Sequence, residues 1–107
     1  MHWTFAGAAY TKPDGHYGTG SFWAPEVKYY NGKFYLTYSA YNPANRKLLS
    51  SLAVSDRPDG PFTDARGKTP LLTANEQIPC AYDPDIILPD KDDPNAYIVF
   101  CGRWQAP

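Results

Sequence analysis

Two side chains could take part in chemistry: the carboxylate of Asp83 and the indole of Trp23. They lie in two copies of one sequence unit. Residues 23–27 read WAPEV and residues 82–86 read YDPDI, and the prolines of the two copies lie 59 positions apart. A carboxylate can move a proton or orient a polar partner, whereas an indole offers a large, rigid apolar face for stacking. The two copies therefore share a pattern but differ in chemistry.

The elements that position these residues are predicted to be β-strands. Eleven Pro and eight Gly interrupt short apolar runs, and no long segment has a helical period, which indicates an all-β chain. The dipeptide Asn31-Gly32 favours a two-residue hairpin turn, and it predicts strands at 26–30 and 33–40. Further strands are predicted at 47–55 and, after a tight turn, at 62–63.

These strands form blade-like units. Residues 23–64 hold four predicted antiparallel strands, the number in one propeller blade. A second unit starts at residue 81, with strands at 81–88 and 97–100, and residues 2–5 are interpreted as an outer strand of a preceding unit. Repeats of this length usually need about three copies for stability, and open sheets expose edges that aggregate. We therefore expect the missing strands to come from a longer chain or from self-association.

Composition excludes several partner classes. A net charge of −1 gives no basic surface for nucleic acid or an anionic membrane. No apolar run approaches the roughly 20 residues of a membrane span, and residues 1–5 lack the basic and apolar regions of a signal peptide. The sequence therefore predicts neither a nucleic-acid nor a membrane partner, and localisation stays undetermined.

The aromatic and cysteine residues have ordinary structural explanations. Aromatics make up 16% of the chain, led by nine Tyr, which suits both strand packing and stacking on sugars. Cys80 and Cys101 are too few for a disulfide framework, and with two His they make no metal-ligand cluster. We expect free buried thiols, no metal site and no cofactor.

Three segments resemble glycoside hydrolase family 43, in the family's order. Residues 22–27 followed by 31–39 (NGKFYLTYS) resemble its second-blade hairpin, and residues 55–64 (SDRPDGPFTD) are similar to its blade-closing turn. Residues 82–87 followed by 97–99 resemble its third-blade inner strand. The resemblance covers nearly the whole chain.

The resemblance implies a partial five-bladed β-propeller. Residues 1–22 would be the end of blade 1 and a linker, and residues 23–64 all of blade 2. Residues 65–80 would be a linker, and residues 81–107 the first half of blade 3. The full-length family can hold a central ion, but no ligand set for one is visible in this sequence.

The resemblance also implies the chemistry of three carboxylates. In the family, a first-blade Asp is the general base, a later Glu is the general acid, and a third-blade Asp orients the acid and raises its pKa. Inverting enzymes hold base and acid roughly 6.5–9.5 Å apart so that a water fits between them and the sugar. The resemblance assigns the third role to Asp83; from the residues alone, an Asp before Pro also suits local backbone bonding. Asp85 is interpreted as a neighbour that helps to fix geometry, and Glu26 as non-catalytic.

Substrate contacts are assigned in the same way. The resemblance implies that Trp23 forms a stacking wall of the sugar pocket, with Ala24 and Pro25 shaping it. Trp104 is assigned to the pocket rim, which Arg103 could also reach. A buried or edge position would be equally ordinary for either Trp.

The sequence thus predicts a fragment of an inverting glycosidase that acts on arabinose- or xylose-containing polysaccharides or oligosaccharides. Motifs for the base and the acid are absent from these 107 residues. Each such catalyst contributes about 10²–10⁴ in rate, so we expect the isolated chain to be nearly inactive. The alternatives are a non-catalytic carbohydrate-binding or structural module and a fructan hydrolase like those of family 32, which usually carry Arg where Tyr82 stands.

Overall fold

The computed structural model describes residues 1–102, which form two antiparallel sheets. The four-stranded sheet has the order β1-β2-β3-β4 and the two-stranded sheet pairs β5 with β6. The strands are β1 (Gly20–Tyr30), β2 (Lys33–Asn42), β3 (Lys47–Ser55), β4 (Thr63–Asp64), β5 (Tyr82–Ile87) and β6 (Tyr97–Cys101). Across residues 1–102 no helix is long and apolar enough to cross a membrane.

The β1-β2 hairpin confirms the turn predicted from the sequence. Asn31 and Gly32 have φ values of 49° and 83°, and Tyr30 pairs with Lys33 on either side of them. Positive φ at both central residues matches the right-handed twist of the flanking strands. β1 begins six residues earlier than predicted, at Gly20, because two register shifts let the strand continue past its Pro.

One predicted strand is wrong. Residues 2–5 form no strand, and the side chains of Trp3 and Phe5 are both 89% exposed. A strand needs a partner for its backbone hydrogen bonds, and the described sheets place none beside this segment. The strand predicted at 47–55 coincides with β3.

The first face of the four-stranded sheet carries the hydrophobic core. The alternate residues Leu36, Tyr38 and Ala40 of β2 are buried there, together with Ala53 and Phe62. The N-terminal segment 9–18 covers this face through apolar and aromatic contacts. Alternation along β2 therefore gives the sheet one apolar face.

A buried polar network fastens the N-terminal segment to this core. His16 lies 2.9 Å from the hydroxyl of Tyr38, which donates to one oxygen of Asp64. Tyr10 donates to the other oxygen at 2.8 Å. Desolvation, followed by the hydrogen bond to Asp64, raises the pKa of Tyr38 far above its usual value. The network satisfies polar groups that would otherwise be buried without partners.

The second face of the sheet contacts β5 through buried polar side chains. Thr37, Ser39 and Ser50 are its fully buried side chains, and each of them bonds to the backbone of residues 81–84. A buried hydroxyl must be hydrogen-bonded to avoid a desolvation penalty. The two sheets are therefore held together by directional contacts.

The two thiols are free, as predicted, but only one of them is buried. Cys80 is buried and Cys101 is exposed, so the expectation of burial was wrong for Cys101. Exposed and half-buried residues alternate along β6, and Cys101 lies on the exposed face with Tyr97 and Val99. No described element covers that face.

Candidate active site

Asp83 lies at the head of β5 in an unusual backbone conformation. Its φ is 50°, although a residue before Pro usually adopts an extended conformation. A left-handed conformation at a residue other than Gly costs about 1–3 kcal/mol, and Asp is one of the side chains that tolerate it best. Asp83 is exposed whereas Pro84 is buried, so the ring anchors the strand and the carboxylate faces solvent.

The first copy of the sequence unit has the same backbone conformation. Ala24 has a φ of 48° and precedes Pro25. Register shifts flank both sites, between Trp23 and Glu26 in β1 and between Tyr82 and Asp85 in β5. A bulge of this kind bends a strand and re-aims its side chains. Ala24 is thus the structural counterpart of Asp83.

Ser39 of β2 connects the two copies. It pairs with Trp23 in the β1-β2 ladder, and its Oγ accepts the amide hydrogen of Asp83 at 3.0 Å. Trp23 is 51% exposed, and Ala24 and Pro25 are exposed beside it. The structure therefore brings the predicted stacking wall and the predicted orienting carboxylate to neighbouring strands.

Trp23 borders two apolar pockets. One, of about 390 Å³, is lined by residues of β1, β2 and the N-terminal segment, among them Tyr10, Phe22, Trp23, Pro25 and Tyr38. The other, of about 210 Å³, is lined by Ser21, Trp23, Tyr41 and Leu48. Asp83 lines neither pocket. Aromatic side chains that line a pocket in this way can stack against the apolar face of a ring.

Asp85 is engaged in an ion pair. Its Oδ1 lies 2.6 Å from Nζ of Lys28, which also donates to the carbonyl of Ile86 at 2.8 Å. The hydrogen bond from Lys28 lowers the pKa of Asp85, and Asp85 in turn raises the pKa of Lys28. Asp85 thus joins β1 to β5 while Asp83 remains exposed.

Sequence reasoning missed three residues of this region: Thr37, Ser39 and Lys28. Thr37 donates to the carbonyl of Pro84 at 3.0 Å. The sequence signal that could have identified Thr37 and Ser39 is their spacing: two hydroxyl residues at alternate positions of a largely apolar strand. Such residues in a buried strand indicate a polar partner on that face.

Two predicted site residues, Arg103 and Trp104, lie outside the described residues. Among residues 1–102, no group of three or more His, Cys, Asp or Glu side chains is placed to hold a metal ion. The site as described therefore consists of a carboxylate, an indole and the strand backbone around them.

The sequence matches the Glycosyl hydrolases family 43 over residues 1–107. It is 36% identical to the Xylosidase/arabinosidase 43A of Humicola insolens, over 77% of this chain and 22% of that protein. It is 31% identical to the Arabinan endo-1,5-alpha-L-arabinosidase A of Aspergillus niger, over 95% of this chain and 32% of that protein.

A solved structure supports the same assignment. The crystal structure of a thermostable family-43 glycoside hydrolase aligns with a TM-score of 0.65 and 40% sequence identity, over 80% of this chain and 25% of that one. The chain thus spans about a quarter to a third of the relatives it matches. The prediction of an all-β, partial β-propeller fold is confirmed, and the family 32 alternative is set aside. The chain belongs to glycoside hydrolase family 43.

Proposed function

We propose that this chain forms part of an inverting glycosidase that hydrolyses arabinose- or xylose-containing plant polysaccharides or oligosaccharides. The named activities of the relatives support this substrate class. The observation that carries the proposal is the exposed carboxylate of Asp83, at a strained strand head linked through Ser39 to the exposed indole of Trp23. Strained backbone of this kind clusters at functional sites.

In the proposed mechanism, Asp83 acts on the general acid and does not itself transfer a proton. Its negative charge raises the pKa of the neighbouring acid, so that the acid stays protonated near neutral pH. Its oxygens orient that acid and the sugar. Trp23 stacks on the sugar ring and Ala24 and Pro25 leave room for it; Trp104, outside the described residues, keeps the rim role that the resemblance implies.

We assign the general base and the general acid to other parts of the full-length protein, because no motif for either occurs in these 107 residues. The chain spans 22% of one relative and 32% of another. Each missing catalyst is worth about 10²–10⁴ in rate. Hydrolysis is therefore a property of the full-length protein, and the isolated chain is close to inactive.

The test is the substitution Asp83→Asn in the full-length protein. Asn keeps the size of the side chain and tolerates the left-handed conformation, but it removes the charge. We expect kcat for aryl arabinofuranosides or xylosides to fall about 100-fold or more, and the alkaline limb of the pH profile to move to lower pH as the acid loses its charged neighbour.

Asp56→Asn is the matched control. The side chain of Asp56 is 79% exposed and pairs with Lys33 at the surface, so activity should be unchanged. If Asp83→Asn kept wild-type kcat and pH profile, the role of Asp83 would be wrong. If stop codons lay on both sides of the coding sequence for this chain, the enzyme assignment itself would be wrong for this product.

A non-catalytic sugar-binding module is the second candidate. The half-exposed indole of Trp23 beside an apolar pocket favours it, since stacking alone can hold a sugar. Titration of the full-length protein with arabino- and xylo-oligosaccharides, followed by product analysis, separates the two candidates. Binding without any hydrolysis supports the module, and turnover supports the enzyme.

A further inference from the structure

We propose that Ser39 and Thr37 of β2 are positioning residues, which hold Asp83 in the conformation that its role requires. This inference rests on the proposed function of Asp83. Ser39 accepts the amide hydrogen of Asp83 at 3.0 Å, and Thr37 donates its hydroxyl hydrogen to the carbonyl of Pro84 at 3.0 Å. The two hydroxyls thus bond to both ends of the Asp83-Pro84 dipeptide.

The backbone of Asp83 needs such support. Its φ of 50° is unfavourable for a residue other than Gly, and it is followed by Pro, which restricts it further. A conformation of this kind persists only where the surroundings determine it. Pro84 has no amide hydrogen to contribute, and β2 holds the turn through the amide of Asp83 and the carbonyl of Pro84.

The burial of the two hydroxyls makes these bonds specific. Ser39 is 0% exposed and Thr37 is 1% exposed, so both hydroxyls are shielded from solvent. Their neighbours along β2 (Leu36, Tyr38 and Ala40) point into the hydrophobic core on the opposite face. Thr37 and Ser39 therefore present their hydroxyls where β2 meets the head of β5, although apolar residues could fill the same space.

Ser39 also couples the carboxylate to the stacking wall. It pairs with Trp23 in the β1-β2 ladder, so one residue sets the positions of both side chains that we assign to the sugar. A displacement of about 1 Å at a reacting geometry can cost about 100-fold in rate. A small movement of β5 relative to β2 would therefore affect catalysis before it affected folding.

The competing explanation is that Ser39 and Thr37 only hold β5 against the four-stranded sheet. This explanation makes a different prediction. Docking alone would lower stability and leave the chemistry of folded molecules unchanged. Positioning would lower kcat at nearly constant KM and shift the alkaline limb of the pH profile. A carboxylate that moves away from the general acid raises the pKa of that acid less, so the limb moves to lower pH.

The experiment uses the full-length protein with four variants: Ser39→Ala, Thr37→Val, Thr37→Ser and the control Ser51→Ala. Val matches the shape of Thr without its hydroxyl, and Ser restores the hydroxyl. Ser51 is also buried, but it bonds to Tyr17 on the opposite face of the sheet. We expect Ser39→Ala and Thr37→Val to lower kcat about tenfold at similar KM and to shift the limb. Thr37→Ser should recover most of the activity, and Ser51→Ala should change stability only.

Other ionisable groups near Asp83 do not account for a shift in the alkaline limb of the pH profile. Desolvation, followed by the charges of Cys101, Asp83 and Cys80, raises the pKa of Tyr82, and the Lys28–Asp85 pair lies further along β5. These neighbours of Asp83 are kept in every variant. A shift in the limb therefore reports on the placement of Asp83.

The outcomes separate this inference from the proposed function. If Asp83→Asn abolishes activity but Ser39→Ala and Thr37→Val behave like Ser51→Ala, positioning is wrong and the function of Asp83 stands. If Asp83→Asn has no effect, both are wrong. Should Ser39→Ala fail to fold, the pair Thr37→Val and Thr37→Ser decides, because Val removes the hydroxyl while keeping the branched shape and Ser keeps the hydroxyl while removing one methyl group.

Discussion

At the scale of single residues, the repeated unit shows how one backbone geometry can serve two purposes. Ala24 and Asp83 share a positive φ and a following Pro. In the first copy the small side chain leaves Trp23 open beside it, and in the second copy the same position presents a carboxylate. The difference in chemistry therefore depends on the side chains at the two positions before the Pro, whereas the backbone conformation there is common to both copies.

Replacing Trp23 by Ala should weaken sugar binding. Aromatic contacts contribute about 0.5–1.5 kcal/mol beyond their buried area, so we expect Kd for arabino- or xylo-oligosaccharides to rise about tenfold in the full-length protein, as measured by calorimetry. Stability should change little because Trp23 is half-exposed. Tyr29→Ala is the control, since Tyr29 is an exposed aromatic at the other end of β1. Equal affinities for wild type and Trp23→Ala would refute the stacking role.

At the scale of elements, β2 is the strand on which the site depends. Its alternate residues face an apolar core on one side and the polar contact with β5 on the other. β1 pairs with β2 along its length, and the hairpin turn sets that register. Any slip at the turn would move Ser39 away from both Trp23 and Asp83.

Gly32→Ala should therefore destabilise the hairpin. Gly32 has a φ of +83° and nothing lies within 4 Å of a Cβ at this position, so the effect is purely conformational. We expect a loss of about 1 kcal/mol in the free energy of unfolding, measured by denaturant titration. Gly20→Ala is the matched control, because its site is equally open and its φ is outside the positive range. An equal loss in both variants would contradict the explanation.

At the scale of the whole molecule, the described residues leave apolar surface uncovered along β1. Phe22, Trp23, Val27 and Tyr29 are all at least 39% exposed, and β1 is an edge strand of its sheet. An exposed edge with apolar side chains is a site of association. The relatives are about three to four times as long as this chain, which supports the prediction that further blades cover this surface in the full-length protein.

The isolated 107-residue chain is therefore expected to self-associate. Sedimentation velocity should show a weight-average mass that rises with concentration. Val27→Lys, which places a charge in the uncovered patch, should reduce this association, whereas Gln77→Lys at an exposed polar position should not. A well-folded monomer at all concentrations would contradict the expectation.

The sequence by itself determined the all-β class, the hairpin at Asn31-Gly32 and the family, and the roles of Asp83 and Trp23 stay predictions. The class, the hairpin and the family depend on local signals: turn residues, strand periodicity and short motifs. The division into blades at residues 23–64 and 81–107 and the role of Trp104 stay predictions.

Only the tertiary structure decided how Asp83 is held. The hydroxyls that bond to its dipeptide come from residues 44 and 47 positions away in the chain, and the exposure of Cys101 follows from a sheet face that no described element covers. Such contacts form between strands that are distant in sequence, so no local pattern specifies them. The sequence placed a carboxylate and an indole in two copies of one unit, and the packing of β5 on β2 brought them to the same serine.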